Sequence, residues 1–242
     1  MMSRTVANYD FSGKTVLVLG GSKGIGLGLV TEFSKSGASV YYLSRTPNLK
    51  KIGTHIQVDL LNQNSLSLIL EKIEKLEVNI LVNCSAINFA RKHSDIDIKE
   101  WEEVFKVNVS SIFMVCNAVL KHMKLKNYGK IVNVSSIAGK HRSIVSGIHY
   151  VSSKAALIGY TRQLSYEVSK YDINVNTVCP SQTRTEMYSA TMTAEKEDEL
   201  LKGIPLARVA TIEEQVAPII FLCSDSASYI AGAVVDVNGG QI

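Results

Sequence analysis

The chain contains 242 residues, of which 46% are hydrophobic and 20% are charged. These proportions are typical of a folded globular protein and exclude an intrinsically disordered one. The net charge of +4 is small and the basic residues are scattered, which argues against a nucleic-acid-binding surface. A mildly basic surface suits an anionic cofactor or substrate.

Four cysteines lie far apart, beside apolar neighbours and outside any C-x-x-C pair: Cys84, Cys116, Cys179 and Cys223. This spacing predicts buried free thiols in a reducing compartment and no metal site. Residues 1–14 contain no apolar segment of the signal-peptide type, and no apolar run approaches the length of a membrane span, about 18 residues. We therefore expect a cytoplasmic protein with no membrane contact.

Short runs of β-branched and aliphatic residues alternate with longer amphipathic stretches. Seven runs are predicted as strands: Thr15–Leu19, Val40–Leu43, His55–Val58, Ile80–Val82, Lys130–Val134, Asn174–Val178 and Val234–Val237. Five stretches are predicted as helices: Gly26–Ser36, Ser65–Leu76, Trp101–Lys124, Tyr150–Lys170 and Ile212–Cys223. The alternation predicts an α/β fold, a Rossmann-type doubly wound parallel sheet flanked by helices on both faces.

No repeat, low-complexity segment or linker divides the sequence, so we expect one domain over residues 1–242, with the cofactor-binding and catalytic core within 14–180. The polar stretch Gln182–Ile204 interrupts the alternation. It follows a strand at the side of the sheet where ligands bind, so it fits a mobile substrate lid as well as a solvated surface helix. Thr211 and Glu214 have the spacing of a capping box that opens the last helix.

The first predicted strand runs directly into a glycine-rich turn. In a strand–turn–helix unit, glycines let the backbone approach a pyrophosphate, and the free N–H groups at the positive helix end bind it. Leu27 stands where a P-loop requires lysine, which excludes a nucleoside triphosphate loop of that type. The turn predicts a dinucleotide site with contacts at Gly20, Ser22, Lys23, Gly24, Ile25 and Gly26.

The second predicted strand ends at Ser44 and Arg45, without the Asp or Glu that typically binds the ribose 2′-hydroxyl of NAD. Arg45 can hold a 2′-phosphate in its guanidinium fork, and Ser44 can donate a hydrogen bond to it. Lys23 supplies a second cation from the glycine turn. The sequence therefore predicts NADP(H) as the cofactor rather than NAD(H).

Tyr150 and Lys154 are four residues apart in a predicted helix, so a phenol and an ammonium lie on one face. A phenol ordinarily keeps its proton up to a pKa of about 10, and a nearby cation lowers that value. Such a pair suits proton exchange near neutral pH. On its own it is more typical of an amphipathic helix edge.

Together with an upstream serine, the glycine turn and the Tyr150/Lys154 pair resemble the short-chain dehydrogenase/reductase family. The resemblance extends over nearly the whole chain, and the order and spacing of its motifs are specific. The other matching positions are Asp59, Asn83, Asn108, Val134-Ser135-Ser136, Asn176, Pro180-Ser181 and Asp236-Val237-Asn238-Gly239-Gly240.

The resemblance implies a role for each matching residue. Tyr150 is the general acid in carbonyl reduction and the base in alcohol oxidation, and Lys154 binds the nicotinamide ribose and lowers the pKa of Tyr150. Ser136 donates a hydrogen bond to the substrate oxygen, and Asn108 holds a water that relays protons towards Lys154. Further cofactor contacts are implied at Asp59, Leu60, Asn83, Ser85, Pro180, Thr183 and Thr185.

Four sites depart from the usual family pattern: Leu19, Cys84-Ser85-Ala86, Ser181 and Thr183. Ser135 competes with Ser136 for the serine role, but the shorter gap to Tyr150 favours Ser136. His141 and His149 flank the predicted site, where a solvated or packing role is more typical than a catalytic one. Since the residues implied as catalytic are all present, we expect an active enzyme.

The resemblance implies hydride transfer between the nicotinamide and a ketone or secondary alcohol. 3-Oxoacyl-thioester reductases share this length and motif set, as do sugar and steroid-type reductases, so a carrier- or CoA-linked substrate and a specialised biosynthetic ketoreductase both fit. A nucleotide-sugar dehydratase or epimerase uses the same tyrosine and lysine but resembles a longer chain, and a non-catalytic NADP-sensing module typically loses one of them. The family also suggests a homotetramer built through the two long helices and the C-terminal edge.

Overall fold

In the computed structural model, which describes residues 8–185, 188, 192 and 194–242, seven parallel strands form one sheet in the order β3-β2-β1-β4-β5-β6-β7. Each strand is a short run of β-branched and aliphatic residues, as the sequence predicts. The strands are β1 (Thr15–Leu19), β2 (Ser39–Ser44), β3 (Thr54–Gln57), β4 (Ile80–Asn83), β5 (Gly129–Val134), β6 (Ile173–Pro180) and β7 (Val234–Val237).

Helices connect the strands and cover both faces of the sheet. They are α1 (Gly24–Lys35), α2 (Gln63–Glu74), α3 (Ile98–Phe105), α4 (Ser111–Lys126), α5 (Ile148–Val168), α6 (Ala194–Lys202) and α7 (Ile212–Cys223). The Thr211–Glu214 capping box predicted for α7 is confirmed, with both of its hydrogen bonds present. The prediction of a doubly wound parallel sheet is confirmed.

The sheet divides the hydrophobic core into two layers, and β1 contributes to both. Leu17 and Leu19 belong to the layer packed under α2, α4 and α5. Val16 and Val18 belong to the opposite layer, under α1 and α7. Successive side chains of a strand point to opposite faces, so a continuous apolar run fills both layers.

The predicted helix Trp101–Lys124 is not one regular helix. Lys106–Ser110 adopts a π-helical turn between α3 and α4, and Val107 and Asn108 in this turn are buried. The whole stretch Ile98–Lys126 is long and apolar enough to span a membrane, which the sequence analysis did not anticipate. Its most apolar window is 56% buried, and the buried side chains of α4 pack in the core under the sheet.

The strand order places a topological switch point between β1 and β4. The chain winds outward from β1 through β2 to β3 in one direction and from β4 to β7 in the other. Leu19 and Asn83, the last residues of β1 and β4, are paired in register. In sheets of this type ligands bind outside the carboxyl ends of the strands at the switch point. The sequence motifs lie at this edge.

Candidate active site

The glycine turn forms a close backbone cradle between β1 and α1. Gly20 has φ +91°, and a Cβ there would lie 2.6 Å from the Ser85 hydroxyl. A Cβ at Gly26 would overlap the Gly20 carbonyl oxygen. Helix α1 begins at Gly24, and within the described residues its N-cap, Lys23, makes no side-chain capping bond. The N–H groups at this helix end are thus suited to an anion such as a pyrophosphate.

The cations predicted to bind a 2′-phosphate lie at the surface. Arg45, directly after β2, and Lys23, before α1, are both exposed. The Ser44 hydroxyl donates to the Thr46 carbonyl at 2.7 Å, so its proton is already committed within the loop. Ser22 and Ile25, the other turn candidates, are half-buried.

Residues after β3 and β4 complete this side of the edge. The Asp59 carboxylate accepts the Leu61 N–H at 3.1 Å, and Leu60 is buried beside it. Asn83 is fully buried, and its Nδ2 donates to Asn133 Oδ1 at 2.8 Å, which ties β4 to β5. The Asn83 side chain therefore connects the strands of the sheet, and Ser85, through its hydroxyl and its main chain, lines the cradle next to Gly20.

Ser136, Tyr150 and Lys154 come together beyond the end of β5. The Ser136 hydroxyl faces the Tyr150 phenol and lowers the phenol pKa, but burial outweighs this and raises the pKa of Tyr150 to about 12. The Lys154 Nζ donates to the Val134 carbonyl at 2.8 Å and lies 5.6 Å from the centre of the Tyr150 ring. Burial lowers the pKa of Lys154 to about 8.

The expectation that Lys154 lowers the pKa of Tyr150 is not confirmed in the protein alone. The desolvation of the phenol dominates, and the hydrogen bond from Ser136 is the contribution that favours the phenolate. The two pKa values are thus set mainly by burial: the phenol holds its proton more firmly, and the ammonium holds its proton less firmly.

The structure separates the two candidate serines. The Ser135 hydroxyl donates to the Lys154 main-chain carbonyl at 2.8 Å and is buried. Ser136 Oγ instead accepts the Ala138 N–H at 3.1 Å, which leaves its proton to donate towards the Tyr150 oxygen. The geometry places Ser136 at the phenol, as the spacing to Tyr150 favoured, and gives Ser135 a structural role.

Asn108 occupies the π-helical turn, and its amide holds the chain together around the site. Its Oδ1 accepts the Ile87 N–H at 2.8 Å, and its Nδ2 donates to the Ile87 carbonyl and to the Ser153 hydroxyl, both at 3.0 Å. π-Turns inside helices are frequent at functional sites. The predicted water relay through Asn108 stays a prediction, but its amide already fixes the loop after β4.

The segment after β6 returns to the glycine turn. A Cβ at Gly24 would lie 3.1 Å from Thr185 Cγ2, so Thr185 is next to the cradle. Pro180 ends β6 in register with β7, and Thr183 pairs with Ala210. The Thr183 hydroxyl donates to the Ser181 carbonyl at 3.1 Å.

The predicted lid Gln182–Ile204 lies partly outside the described residues, since 186–187, 189–191 and 193 are not among them. Its described part contains helix α6, as in the surface-helix alternative, and an Arg184–Glu197 ion pair of 2.7 Å ties this helix to the preceding segment. One side of this region is buried in a small apolar cluster of Tyr188, Leu200, Ile204 and Val209. Lid movement stays a prediction.

Sequence reasoning missed one residue of this edge. His149 is fully buried and bonds directly to the main chain of Tyr150, whereas the sequence only favoured a non-catalytic role for it. Its position immediately before Tyr150 and two residues after Gly147 was the available signal.

Comparison with known proteins agrees with the fold. The family described as "short chain dehydrogenase" matches residues 14–196. The chain is 33% identical to the 3-oxoacyl-[acyl-carrier-protein] reductase FabG of Aquifex aeolicus, over 95% of this chain and 97% of that protein. It is 35% identical to the reductase of the same name from Buchnera aphidicola, over 94% of this chain and 97% of that protein.

Two solved structures illustrate the similarity in fold. A putative NAD(P)-dependent gluconate 5-dehydrogenase from Beutenbergia cavernae, with bound NADP at low occupancy, superposes with a TM-score of 0.90 at 26% identity, covering 97% of this chain and 99% of that one. A 3-oxoacyl-[acyl-carrier protein] reductase from Brucella melitensis with bound NAD gives a TM-score of 0.86 at 26% identity, covering 99% and 97%.

A glycine cradle at the switch point beside the half-buried Tyr150 and Ser136 and the buried Lys154 defines a nicotinamide-dependent oxidoreductase acting on CH–OH or C=O groups. The chain belongs to the short-chain dehydrogenase/reductase family, in which it is similar to the 3-oxoacyl-[acyl-carrier-protein] reductases.

Proposed function

We propose that this protein is an NADP(H)-dependent reductase of 3-oxoacyl thioesters, converting the 3-ketone into a secondary alcohol. The observation that carries the proposal is the grouping of Ser136, Tyr150 and Lys154 beyond the end of β5, in a chain similar over 95% of its length to 3-oxoacyl-[acyl-carrier-protein] reductases. The substrate would be linked to a carrier protein or to coenzyme A.

The chain's own residues account for the proton and for the charge that develops on the substrate oxygen. The bound cofactor would supply the hydride to the carbonyl carbon. Because burial raises the pKa of Tyr150 to about 12, the phenol stays protonated at neutral pH and gives its proton to the carbonyl oxygen. Ser136 donates a hydrogen bond to the same oxygen.

Lys154 has two proposed roles, one towards the Tyr150 phenol and one towards the cofactor. With a pKa lowered by burial to about 8, it is mostly protonated at neutral pH. Its ammonium lies 5.6 Å from the Tyr150 ring, where a positive charge favours the phenolate left after proton transfer. The same ammonium is the candidate donor to the nicotinamide ribose hydroxyls.

The cofactor is proposed to be NADP(H) because positive charge flanks the cradle. Arg45 and Lys23 are both exposed at its rim, and a guanidinium fork is suited to a phosphate. The remaining contacts are proposed for the turn residues Gly20, Ser22, Gly24, Ile25 and Gly26, and for Asp59, Leu60, Asn83, Ser85, Pro180, Thr183 and Thr185. Ser44 would have to release the Thr46 carbonyl before it could bind the phosphate.

Assembly into a homotetramer is also proposed. Phe113 on α4 and Tyr166 on α5 are large side chains that are 51% and 85% exposed. Exposed aromatic residues on two adjacent long helices suit contact with a second copy. Light scattering at micromolar concentration tests this, and a monomer would contradict it.

An NADPH-oxidation assay tests the proposed reaction. We expect turnover with 3-oxoacyl thioesters to exceed that with keto sugar acids such as the 5-keto form of gluconate, the compound for which the dehydrogenase relative is named. Tyr150→Phe keeps the ring and removes the proton donor, so turnover should fall by about 10³-fold while NADPH binding persists. An unchanged rate in Tyr150→Phe, or turnover of sugar acids only, would overturn the proposal.

A further inference from the structure

His149 makes a direct hydrogen bond to the main chain of the proposed catalytic residue. Its imidazole is fully buried, and the Tyr150 N–H donates to its Nδ1 at 2.9 Å. Helix α5 begins at Ile148 after Gly147, which has no side chain to cap it. The first N–H groups of a helix lack partners within the helix, so His149 satisfies one of them at Tyr150 itself.

The same contact fixes the proton on the imidazole. A backbone N–H can only donate, so Nδ1 must present its lone pair and the ring proton must sit on Nε2. That Nε2 lies 3.1 Å from Glu100 Oε1, so the ring donates to a carboxylate on α3. Glu100 Oε2 in turn lies 3.2 Å from Arg91 Nε. The imidazole is thus held between α3 and the start of α5.

The carbonyl of Tyr150 is held from the other side. The Ser153 hydroxyl donates to it at 2.8 Å and accepts from Asn108 Nδ2 at 3.0 Å. Both main-chain polar groups of Tyr150 are therefore bonded to side chains, one anchored by α3 and the other by the π-turn.

Neighbouring atoms enclose the imidazole of His149 tightly, which fixes the position of the ring. A Cβ on Gly147 would overlap the imidazole and lie 2.5 Å from the Phe89 carbonyl oxygen. The Gly147 N–H donates to that same carbonyl at 3.1 Å. The Phe89 ring closes another side, 6.1 Å from the imidazole centre.

We propose that His149 is a positioning residue: it caps α5 and, through Glu100, sets the position of the Tyr150 phenol against Ser136. This inference rests on the proposed function, in which Tyr150 gives the proton. A misplacement of about 1 Å at a reacting group can lower a rate by about 100-fold. His149 reaches the reaction only through Tyr150 and touches no substrate itself.

Two isosteric substitutions at position 149 each keep one of the two hydrogen bonds of the imidazole and remove the other. Asn Oδ1 occupies the place of His Nδ1, so His149→Asn keeps the cap and loses the reach to Glu100. Gln Nε2 occupies the place of His Nε2, so His149→Gln keeps that reach and loses the cap. Hydrogen exchange of the Tyr150 amide reads the cap directly and needs no turnover. The exposed His93→Gln is the matched control.

We expect the Tyr150 amide to exchange at least tenfold faster in His149→Gln than in wild type, with a much smaller increase in His149→Asn and wild-type protection in His93→Gln. In the NADPH assay, kcat should fall by about 30-fold in His149→Gln and by about threefold in His149→Asn, with KM for NADPH little changed, because the phenol moves and the cofactor cradle does not. Equal exchange and equal kcat in the Gln and Asn variants would overturn the proposal.

Substitutions of Glu100 on α3 test the same contact without changing position 149. They keep the proposal testable if the position-149 variants fail to fold. Glu100→Ala should speed exchange at Tyr150 and lower kcat, and Glu100→Gln, which keeps an acceptor for Nε2, should restore both. Failure of Glu100→Gln to restore them would overturn the link through Glu100. Tyr150→Phe in the same assay distinguishes the two proposals: if it retains wild-type turnover, the proposed function fails, whereas the exchange result still decides the cap.

Discussion

The two halves of the candidate active site, the glycine cradle and the cluster around Tyr150, are built differently. The cradle around Gly20 and Gly26 is made by the backbone, and its charged groups, Lys23 and Arg45, are exposed. The cluster around Tyr150 is made by side chains, with Tyr150 and Ser136 half-buried and Lys154 buried, and desolvation shifts the pKa values of its tyrosine and lysine.

This difference indicates what each half can tolerate. A backbone cradle requires that side chains be absent, so added volume disrupts it, whereas exposed cations contribute modestly and are screened by salt. The cluster around Tyr150 depends on the chemical identity and the protonation state of each of its side chains. We therefore expect substitutions in the first half to change cofactor affinity and those in the second to change kcat and its pH dependence.

Within the cradle, the largest expected effect comes from adding one methyl group. In Gly26→Ala the new Cβ would overlap the Gly20 carbonyl oxygen, so the turn must shift and NADPH affinity should fall by about 100-fold. Fluorescence titration with NADPH measures this. Gly159→Ala is the control, because a Cβ there meets no atom of the described residues within 4 Å, and its affinity should match wild type. Equal affinity in the two variants would contradict a backbone-built cradle.

Removing the exposed cation tests the cofactor assignment. Arg45→Ala should raise KM for NADPH by about 30-fold through loss of a charge-assisted bond and leave KM for NADH unchanged. Lys50→Ala removes another exposed cation of the same loop and should change neither. A parallel loss with both cofactors, or a wild-type preference for NADH, would contradict NADP(H).

The buried half should show its own pH dependence. Below its pKa of about 8, Lys154 is charged; above it the charge is lost, so kcat/KM for reduction should fall by about tenfold per pH unit. Tyr150 does not contribute in this range, because its pKa of about 12 keeps the phenol protonated. A pH profile of kcat/KM measures this, and a curve that stays flat through that range would argue against a catalytic Lys154.

The smallest effect is expected away from both halves. Thr211→Ala removes the capping box of α7 and should lower the free energy of unfolding by about 1 kcal/mol, with kcat unchanged. Urea unfolding monitored by circular dichroism measures this, and Thr211→Ser should retain most of the stability. A loss of kcat in Thr211→Ala would show that the site depends on α7.

Most of the strands were predictable because the runs of β-branched and aliphatic residues that indicate them are local in sequence. β1 and β7 were predicted to the residue, and the other strands to within two residues at either end. The π-turn at Asn108 was not predicted, because the apolar period of α3 and α4 continues through it. In this turn, Asn108 makes its hydrogen bonds to Ile87 and Ser153, which are remote in sequence.

The sequence by itself determined the alternation of strands and helices, the glycine spacing at β1 and the Tyr150/Lys154 spacing, because each of these is a periodic or short-range pattern. Only the tertiary structure decided that Ser136 and not Ser135 meets the phenol, that burial dominates both pKa values, and that His149 ties Tyr150 to Glu100. These properties depend on which groups from distant parts of the chain exclude water together, and no local pattern carries that information.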